Sequence, residues 1–470
     1  MPDAVRPGMV QFNPNILIDF LRGQPTAPNY WVAFSGGLDS TVLLHTLAAQ
    51  RDQLPGPLFA IHVNHGINPD ADAWQRHCEA ECLTLGVDLI QVRVQVPATP
   101  GASLEATARE WRYAAFAKSM QPGDCLLLAH HLDDQLETFL LQALRGAGIA
   151  GLAAMPAAAD FAPGRLVRPM LEVSRESLLS WARAHKLHWI DDSSNQDVRF
   201  DRNYLRHEVL PRLKQRWPAA AETVARAARH CAEASDLLAV QAADDLRRFV
   251  QPDCRSLALQ AVRELSRPRA KQLIRYWLAE CGFALPPTHK LEQVFTDILT
   301  ARPDRIPCIE WGGVELRRYR DRLYVQSPMA AMPEPFLLRA GEFHELGQGL
   351  GRLGLEAAKA GIRATACPGT GLRVTFRAGG ERCQPAGQTH RRPLKKWLQE
   401  LDVLPWMRAC LPLLEKDGEL MAVAGLFICE PFRAQADQPA LRLVWENAPA
   451  ILGDNKKTAD FEGGSATAAF

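Results

Sequence analysis

The residues able to carry chemistry gather in a few short strings of this 470-residue chain. Ser35-Gly36-Gly37-Leu38-Asp39-Ser40 follows an apolar run, Trp31 to Phe34, and leads into a helix-length stretch from Asp39 to Gln50. Adjacent glycines let a backbone turn tightly and come close to a ligand, and the amides of such a loop, with those of the helix behind it, face a phosphate. Ser35 and Ser40 add hydroxyl donors, and Asp39 supplies a carboxylate able to hold a magnesium ion. A structural turn accounts for Gly-Gly alone. It does not account for the full string placed directly after a strand, which points to pyrophosphate binding. The Gly-Lys-Ser/Thr of a Walker A loop is absent.

A second string, Ala129-His130-His131-Leu132-Asp133-Asp134-Gln135-Leu136-Glu137-Thr138, also stands where an apolar run becomes a helical stretch. Carboxylates favour a helix N-terminus, so capping accounts for one acid in that first turn. Three acids beside two histidines exceed that need and suit a magnesium-bound phosphate together with a cationic substrate. His62-Val63-Asn64-His65 has a spacing open to a metal, yet no third ligand lies nearby in the sequence. Arg109, Arg112 and Tyr113 share one helix face. That face fits either a solvated salt-bridged surface or a guanidinium aimed at a transferring phosphate. Gly146-Ala147-Gly148-Ile149-Ala150-Gly151 matches a dinucleotide fingerprint, but it follows a helix instead of joining strand to helix, so a nicotinamide reading is rejected.

These strings need elements to position them. Strand-like runs at 31–34, 58–63, 87–94 and 124–129 alternate with helical patterns at 39–50, 71–85, 103–120 and 133–145. That alternation predicts an α/β fold with a doubly wound parallel sheet over residues 1–217, its ligand crevice at the carboxyl ends of the strands. After Trp217-Pro218 the pattern becomes Ala-rich and helical, and no glycine occurs between Gly164 and Gly282, so residues 218–328 are expected to be a helical domain. A break from Met329 to Pro335 precedes a small α+β C-terminal domain at 337–448, with one helix near Lys395 to Leu401. The polar tail at 449–470 is expected to be disordered.

Composition excludes several classes. With 47% hydrophobic and 23% charged residues, the chain can bury real cores. No signal-peptide pattern or apolar run of membrane-spanning length is present, and the scattered cysteines form no Cys-x-x-Cys pair, so a reducing cytoplasmic setting is expected. The net charge of +1 argues against a uniformly basic coat but hides two basic segments. Residues 199–230 hold eight Lys/Arg against three acids, and residues 373–408 hold the same numbers. Both are candidate RNA contacts, with Arg202 and Arg206 in the first and Arg391, Arg392, Lys395, Lys396 and Arg408 in the second.

The loop string resembles that of the ATP-pyrophosphatase (PP-loop) family, whose members split ATP between the α and β phosphates. The strings at 62–66, 129–138, 145–152, 191–195 and 201–206, with Leu394 to Glu400, Pro405 to Arg408 and Leu411 to Leu413, are similar to its lysidine-forming branch. Asn68 and Thr375 stand where that branch often has arginine. The resemblance implies that ATP, with Mg2+, adenylates the ring carbonyl of the wobble cytidine in an isoleucine tRNA with a CAU anticodon. The ε-amine of free L-lysine then displaces AMP to give lysidine, changing the codon read from AUG to AUA. On this reading Ser35, Gly36, Gly37, Leu38, Asp39, Ser40, His62 and His130 bind ATP, and Asp39 and Asp133 hold the metal. Asp134 and Glu137 bind lysine, and Asp39, Arg109, Asp134 and Glu137 are catalytic. No membrane or obligatory protein partner is expected.

Three other readings are weaker. A sulfur-transferring relative needs reactive or cluster-binding cysteine pairs. A glutamine amidotransferase needs an amidohydrolase domain, whereas the loop here begins at residue 35. A non-catalytic tRNA-binding protein has no use for the intact acids and loop.

Overall fold

A computed structural model describes residues 12–94, 104–249 and 255–452, apart from positions 67, 162, 303–304, 330, 348 and 368. The expected disordered tail lies, from residue 453 onward, outside the described residues. The chain divides into two compact units, Met1–Gln241 and Ala242–Phe470, and the division falls inside a single helix, Ala220–Phe249.

The first unit is built on six strands: β1 (Tyr30–Ala33), β2 (Leu58–Asn64), β3 (Asp88–Arg93), β4 (Cys125–Leu127), β5 (Ala158–Phe161) and β6 (Gly164–Val167). Their order across the sheet is β3-β2-β1-β4-β6-β5, all neighbours parallel except the antiparallel β5–β6 edge. Side chains of β1 alternate between the two faces, as a pleated strand requires. Tyr30 and Val32 enter one core with helices α1 (Asn15–Arg22) and α2 (Leu38–Ala49), whereas Trp31 joins Phe116 of α4 (Leu104–Ser119) and Met120 just beyond it in the other. Helix α3 (Ala71–Leu85) sends Cys78 and Cys82 into the first core, where burial pushes both thiols up to about 12. Most of α2 is buried, Ser40, Thr41 and Thr46 included, which is why its sequence shows no amphipathic stripe. The expected strands and helices of the first 145 residues are all present, within a few residues of the expected bounds.

Strand order reverses between β1 and β4: β2 and β3 lie on one side of β1, β4 and β6 on the other. A crevice opens outside the carboxyl ends of the strands at such a reversal. The loop at 35–40 leaves β1 there, and α5 (Leu132–Leu144) begins just beyond β4. The Gly146–Gly151 string lies past the end of α5, and Gly148 merely caps the short helix Ile149–Leu152, which agrees with the rejection of a dinucleotide site.

The second unit corrects one expectation. The segment to residue 328 is not wholly helical. Helices Leu259–Glu264, Arg267–Glu280 and Thr288–Gln293 pack on a four-stranded antiparallel sheet of Ser256–Ala258, Arg322–Gln326, Val314–Tyr319 and Cys308–Trp311. Charged side chains within Val314-Glu315-Leu316-Arg317-Arg318-Tyr319 conceal the strand, because Arg318 is buried where an apolar side chain is expected and donates to the carbonyls of Ile298 and Ala301 at 3.0 and 2.9 Å. Residues 336–446 form a further core of antiparallel strands around Trp397, with the expected helix at Leu394–Glu400.

Candidate active site

Helix α2 starts at Gly37 with no side-chain cap, so its first-turn amides stay available at the loop. The loop is braced from within: Ser35 and Ser40 hydroxyls meet at 3.0 Å, and Ser40 donates to the Gly37 carbonyl at 3.0 Å. Gly36 has φ +81°, and a Cβ there would sit 2.7 Å from Ile190 Cδ1 and 3.0 Å from Cys78 Sγ. Only glycine fits both the conformation and the space. His62, buried at the end of β2, hydrogen-bonds the Phe34 carbonyl at 2.9 Å, so it holds the base of the loop. Burial lowers its pKa, and burial together with Arg112 takes that of His65 down to about 4.

At the end of β4 two adjacent histidines have opposite protonation. Burial, reinforced by Arg168, Arg202 and Arg109, lowers His130 to about 3, and its Nδ1 accepts from Arg168 Nε at 3.1 Å. His131 caps α5 and lies between carboxylates, its Nε2 3.6 Å from Asp39 and 3.4 Å from Asp134. Burial opposes its protonation, but Asp134, Asp39 and Asp133 outweigh burial and raise it to about 9. The Asp134 amide approaches His131 Nδ1 at 3.3 Å, a contact that a protonated ring cannot accept. That amide already donates to the His131 carbonyl at 3.0 Å, so the imidazolium among its carboxylates is the better description.

Asp134 and Glu137 are both buried, and two arginines from Asp201–Val209 reach them. Arg202 donates to Glu137 at 2.6 Å and to Asp134 at 2.8 Å; Arg206 donates to Glu137 at 2.7 and 2.9 Å. Burial alone would raise the Asp134 pKa, but His131 and Arg202 hold it well below the usual carboxylate range. Asp134 is therefore charged, and it and Glu137 are embraced by the two guanidiniums.

The other expected residues fall into place unevenly. Arg109 is exposed on α4, its guanidinium 5.3 Å from the Tyr113 ring centroid. Asp39 Oδ1 is buried without a hydrogen-bond partner, an oxygen donor of the kind a hard cation takes. Asp133 does not fit the metal role expected of it: its oxygens accept from Lys214 and from the Arg175 amide. Arg202 and Arg206, expected to meet RNA, pair here with the crevice acids Asp134 and Glu137. In the second unit Lys395 and Lys396 are exposed, Arg391 and Arg392 lie near Glu419 and Glu400, and Arg408 donates to the Val403 carbonyl. Sequence reasoning missed Arg168 and Lys214 as members of the cluster and gave His131 no role of its own. Arg168 had a usable signal, since it follows the apolar end of β6 as the other site residues follow their strands.

A parallel sheet with a Ser-Gly-Gly-Leu-Asp-Ser loop at its order reversal, and buried acids at the neighbouring strand end, defines a nucleotide-binding enzyme of the PP-loop class. The family model described as PP-loop domain matches residues 13–213, the TilS substrate binding domain 257–324 and the TilS substrate C-terminal domain 372–445. Among the relatives, the tRNA(Ile)-lysidine synthase of Coxiella burnetii is 40% identical over 91% of this chain and 95% of its own. That of Alkalilimnicola ehrlichii is 43% identical over 93% and 97%, and that of Shigella flexneri 42% identical over 90% and 97%. The chain belongs to the tRNA(Ile)-lysidine synthase family.

Proposed function

We propose that this chain uses ATP to join free lysine to the wobble cytidine of the CAU anticodon of tRNA(Ile), giving lysidine. The observation that carries this reading is the buried Asp134–Glu137 pair beside the phosphate loop, already filled by two alkyl-borne cations. A site that holds guanidinium groups has the charge and hydrogen-bond acceptors to hold an ammonium.

The reaction has two steps. The cytosine ring carbonyl oxygen attacks the α-phosphorus of ATP and pyrophosphate leaves. The lysine ε-amine then attacks the ring carbon, the carbon–oxygen bond breaks, and AMP departs. Loop amides hold the phosphates, joined by the Ser35 and Ser40 hydroxyls as these turn from their bonds within the loop, with Arg168, hydrogen-bonded to His130, and Arg109 as further cations. Magnesium supplies charge neutralisation at those phosphates when bound, and Asp39, with its unpartnered oxygen, is the residue that would hold it. Free lysine titrates near 10.4, so only about one molecule in 10³ is nucleophilic at pH 7. Asp134 and Glu137 bind the abundant ammonium form, and one carboxylate takes its proton as it attacks. The incoming ammonium exchanges for a guanidinium of Arg202 or Arg206, so the acids are never left buried and unpaired.

Three parts follow from this reading: a catalytic PP-loop domain at 1–217 and tRNA-binding domains at 218–328 and 337–448. The setting is the cytoplasm, and no protein partner is required. The deciding assay mixes protein, ATP, labelled lysine and either tRNA(Ile) or the elongator methionine tRNA, which shares the CAU anticodon. Lysine in tRNA(Ile) alone, with matching AMP release, is expected. Label in the methionine tRNA, or in neither, overturns the proposal.

A further inference from the structure

The run from Asp201 to Trp217 has a second face. Tyr204, Glu208 and Arg212 form one ridge, Val209, Leu213 and Trp217 the next, and between them lies a groove of about 400 Å³. Residues four apart make such ridges along a helix, and the π-helical turn at Leu205–Val209 sets their stagger. Large aromatic side chains are seldom left in water without a use, yet Tyr204 and Trp217 are 51% and 57% exposed. The Arg216 guanidinium lies 5.6 Å from the Trp217 ring centroid, and Arg212 and Arg216 are both exposed. The same run turns Arg202 and Arg206 inward to the acids, so groove and lysine site lie on opposite sides of one helix, about 10 Å apart.

Resting on the ligase reading above, we infer that this groove takes an unstacked base of the tRNA anticodon loop, a neighbour of the modified cytidine. Two exposed aromatic faces sandwich or flank a base of any identity, and arginines beside them meet its phosphates. The Glu208 carboxylate on the groove wall accepts from an exocyclic amine. An apolar partner would leave Arg212 and Arg216 unmatched, whereas a polyanion with aromatic bases satisfies every group present. Splaying a neighbouring base onto this face would free the cytidine from its stack and let its ring carbonyl enter the crevice.

The test is equilibrium binding of an anticodon stem-loop RNA to the full-length protein, with its salt dependence. Tyr204→Ala and Trp217→Ala should each weaken binding roughly five- to a hundredfold, the range for losing one base–aromatic stack. Tyr204→Phe and Trp217→Phe should restore it to within about twofold of the unaltered chain. The slope of log affinity against log salt should stay unchanged in all four, and should shrink by about one in Arg212→Gln. Unchanged affinity in the alanine variants overturns the inference, as do phenylalanine variants as weak as the alanine ones. If Trp217→Ala abolishes self-association instead, leaving RNA affinity intact, the face joins copies of the chain. Binding is read without turnover, so a chain that binds in this way but incorporates no lysine counts against the ligase reading alone.

Discussion

His131 is the residue whose protonation most clearly ties the site to pH. Its folded pKa of about 9 exceeds the ordinary value of 6.5, so the proton stabilises the fold. That stability is fully present below pH 6.5 and is lost as pH rises from 6.5 through 9. Chemical denaturation across this window should show a loss of up to about 3 kcal/mol, and His131→Gln should flatten it. A slope that survives the substitution would assign it to another group. His130 works in the opposite direction: its pKa of about 3 means that stability declines as pH falls below 6.5. Glu137 makes a separate case. It accepts from both Arg202 and Arg206 while being 1% exposed, so Glu137→Ala leaves two largely buried guanidiniums short of a partner. Breaking such a cluster costs about 3–5 kcal/mol. The variant should need tens of times more lysine for half-maximal incorporation while its KM for ATP changes little. Wild-type lysine incorporation at low lysine in this variant would remove Glu137 from the lysine site.

Among the elements, the loop between β1 and α2 is the least tolerant of change. Gly36→Ala adds a Cβ at φ +81° against Ile190 and Cys78, on a carbonyl that also accepts from the Ile190 amide at 2.9 Å. Strain of about 1–3 kcal/mol should lower thermal stability, and ATP binding should fall by more than tenfold because the loop amides lose their alignment. Calorimetric titration of ATP against the folded variant checks this; unimpaired binding would show that the loop does not hold phosphate. This loop and α5 were legible in advance because each is local: a strand, a turn and a helix start written in consecutive residues. What was not legible is what arrives from afar. Arg202 reaches Asp134 across 68 positions and Lys214 reaches Asp133 across 81, and no pattern in either segment announces the pairing. The protonation of His130 and His131 was hidden for the same reason, since burial and distant charges decide it. The strands at 308–326 were missed because buried charged residues, Glu315 and Arg318, broke the apolar alternation that marks a strand.

Over the whole molecule, a net charge of +1 conceals where an RNA can be held. Pairing redistributes the two basic segments further. Arg202, Arg206 and Lys214 neutralise crevice acids, leaving the outward basic surface of that run to residues such as Arg212 and Arg216. In the second unit Lys395 and Lys396 stand exposed on the helix Leu394–Glu400, whose other face buries Trp397 and Leu398. The anticodon cannot distinguish the two CAU tRNAs, and one base-edge contact elsewhere supplies about 1–3 kcal/mol of discrimination. A basic face far along the chain from the catalytic loop suits that role. Deleting everything after residue 330 is a poor test, because Trp406 packs on Tyr319 and Tyr324 and donates to Gln326 at 2.8 Å, so the cut would uncover the preceding sheet. Lys395→Glu combined with Lys396→Glu leaves that packing intact. The double variant should raise the KM for tRNA(Ile) roughly tenfold and reduce the salt slope of binding by about two, with the KM for ATP unaltered. If the salt slope stays as it was, these lysines do not meet phosphate, and discrimination between the two tRNAs must be sought on the other basic segment.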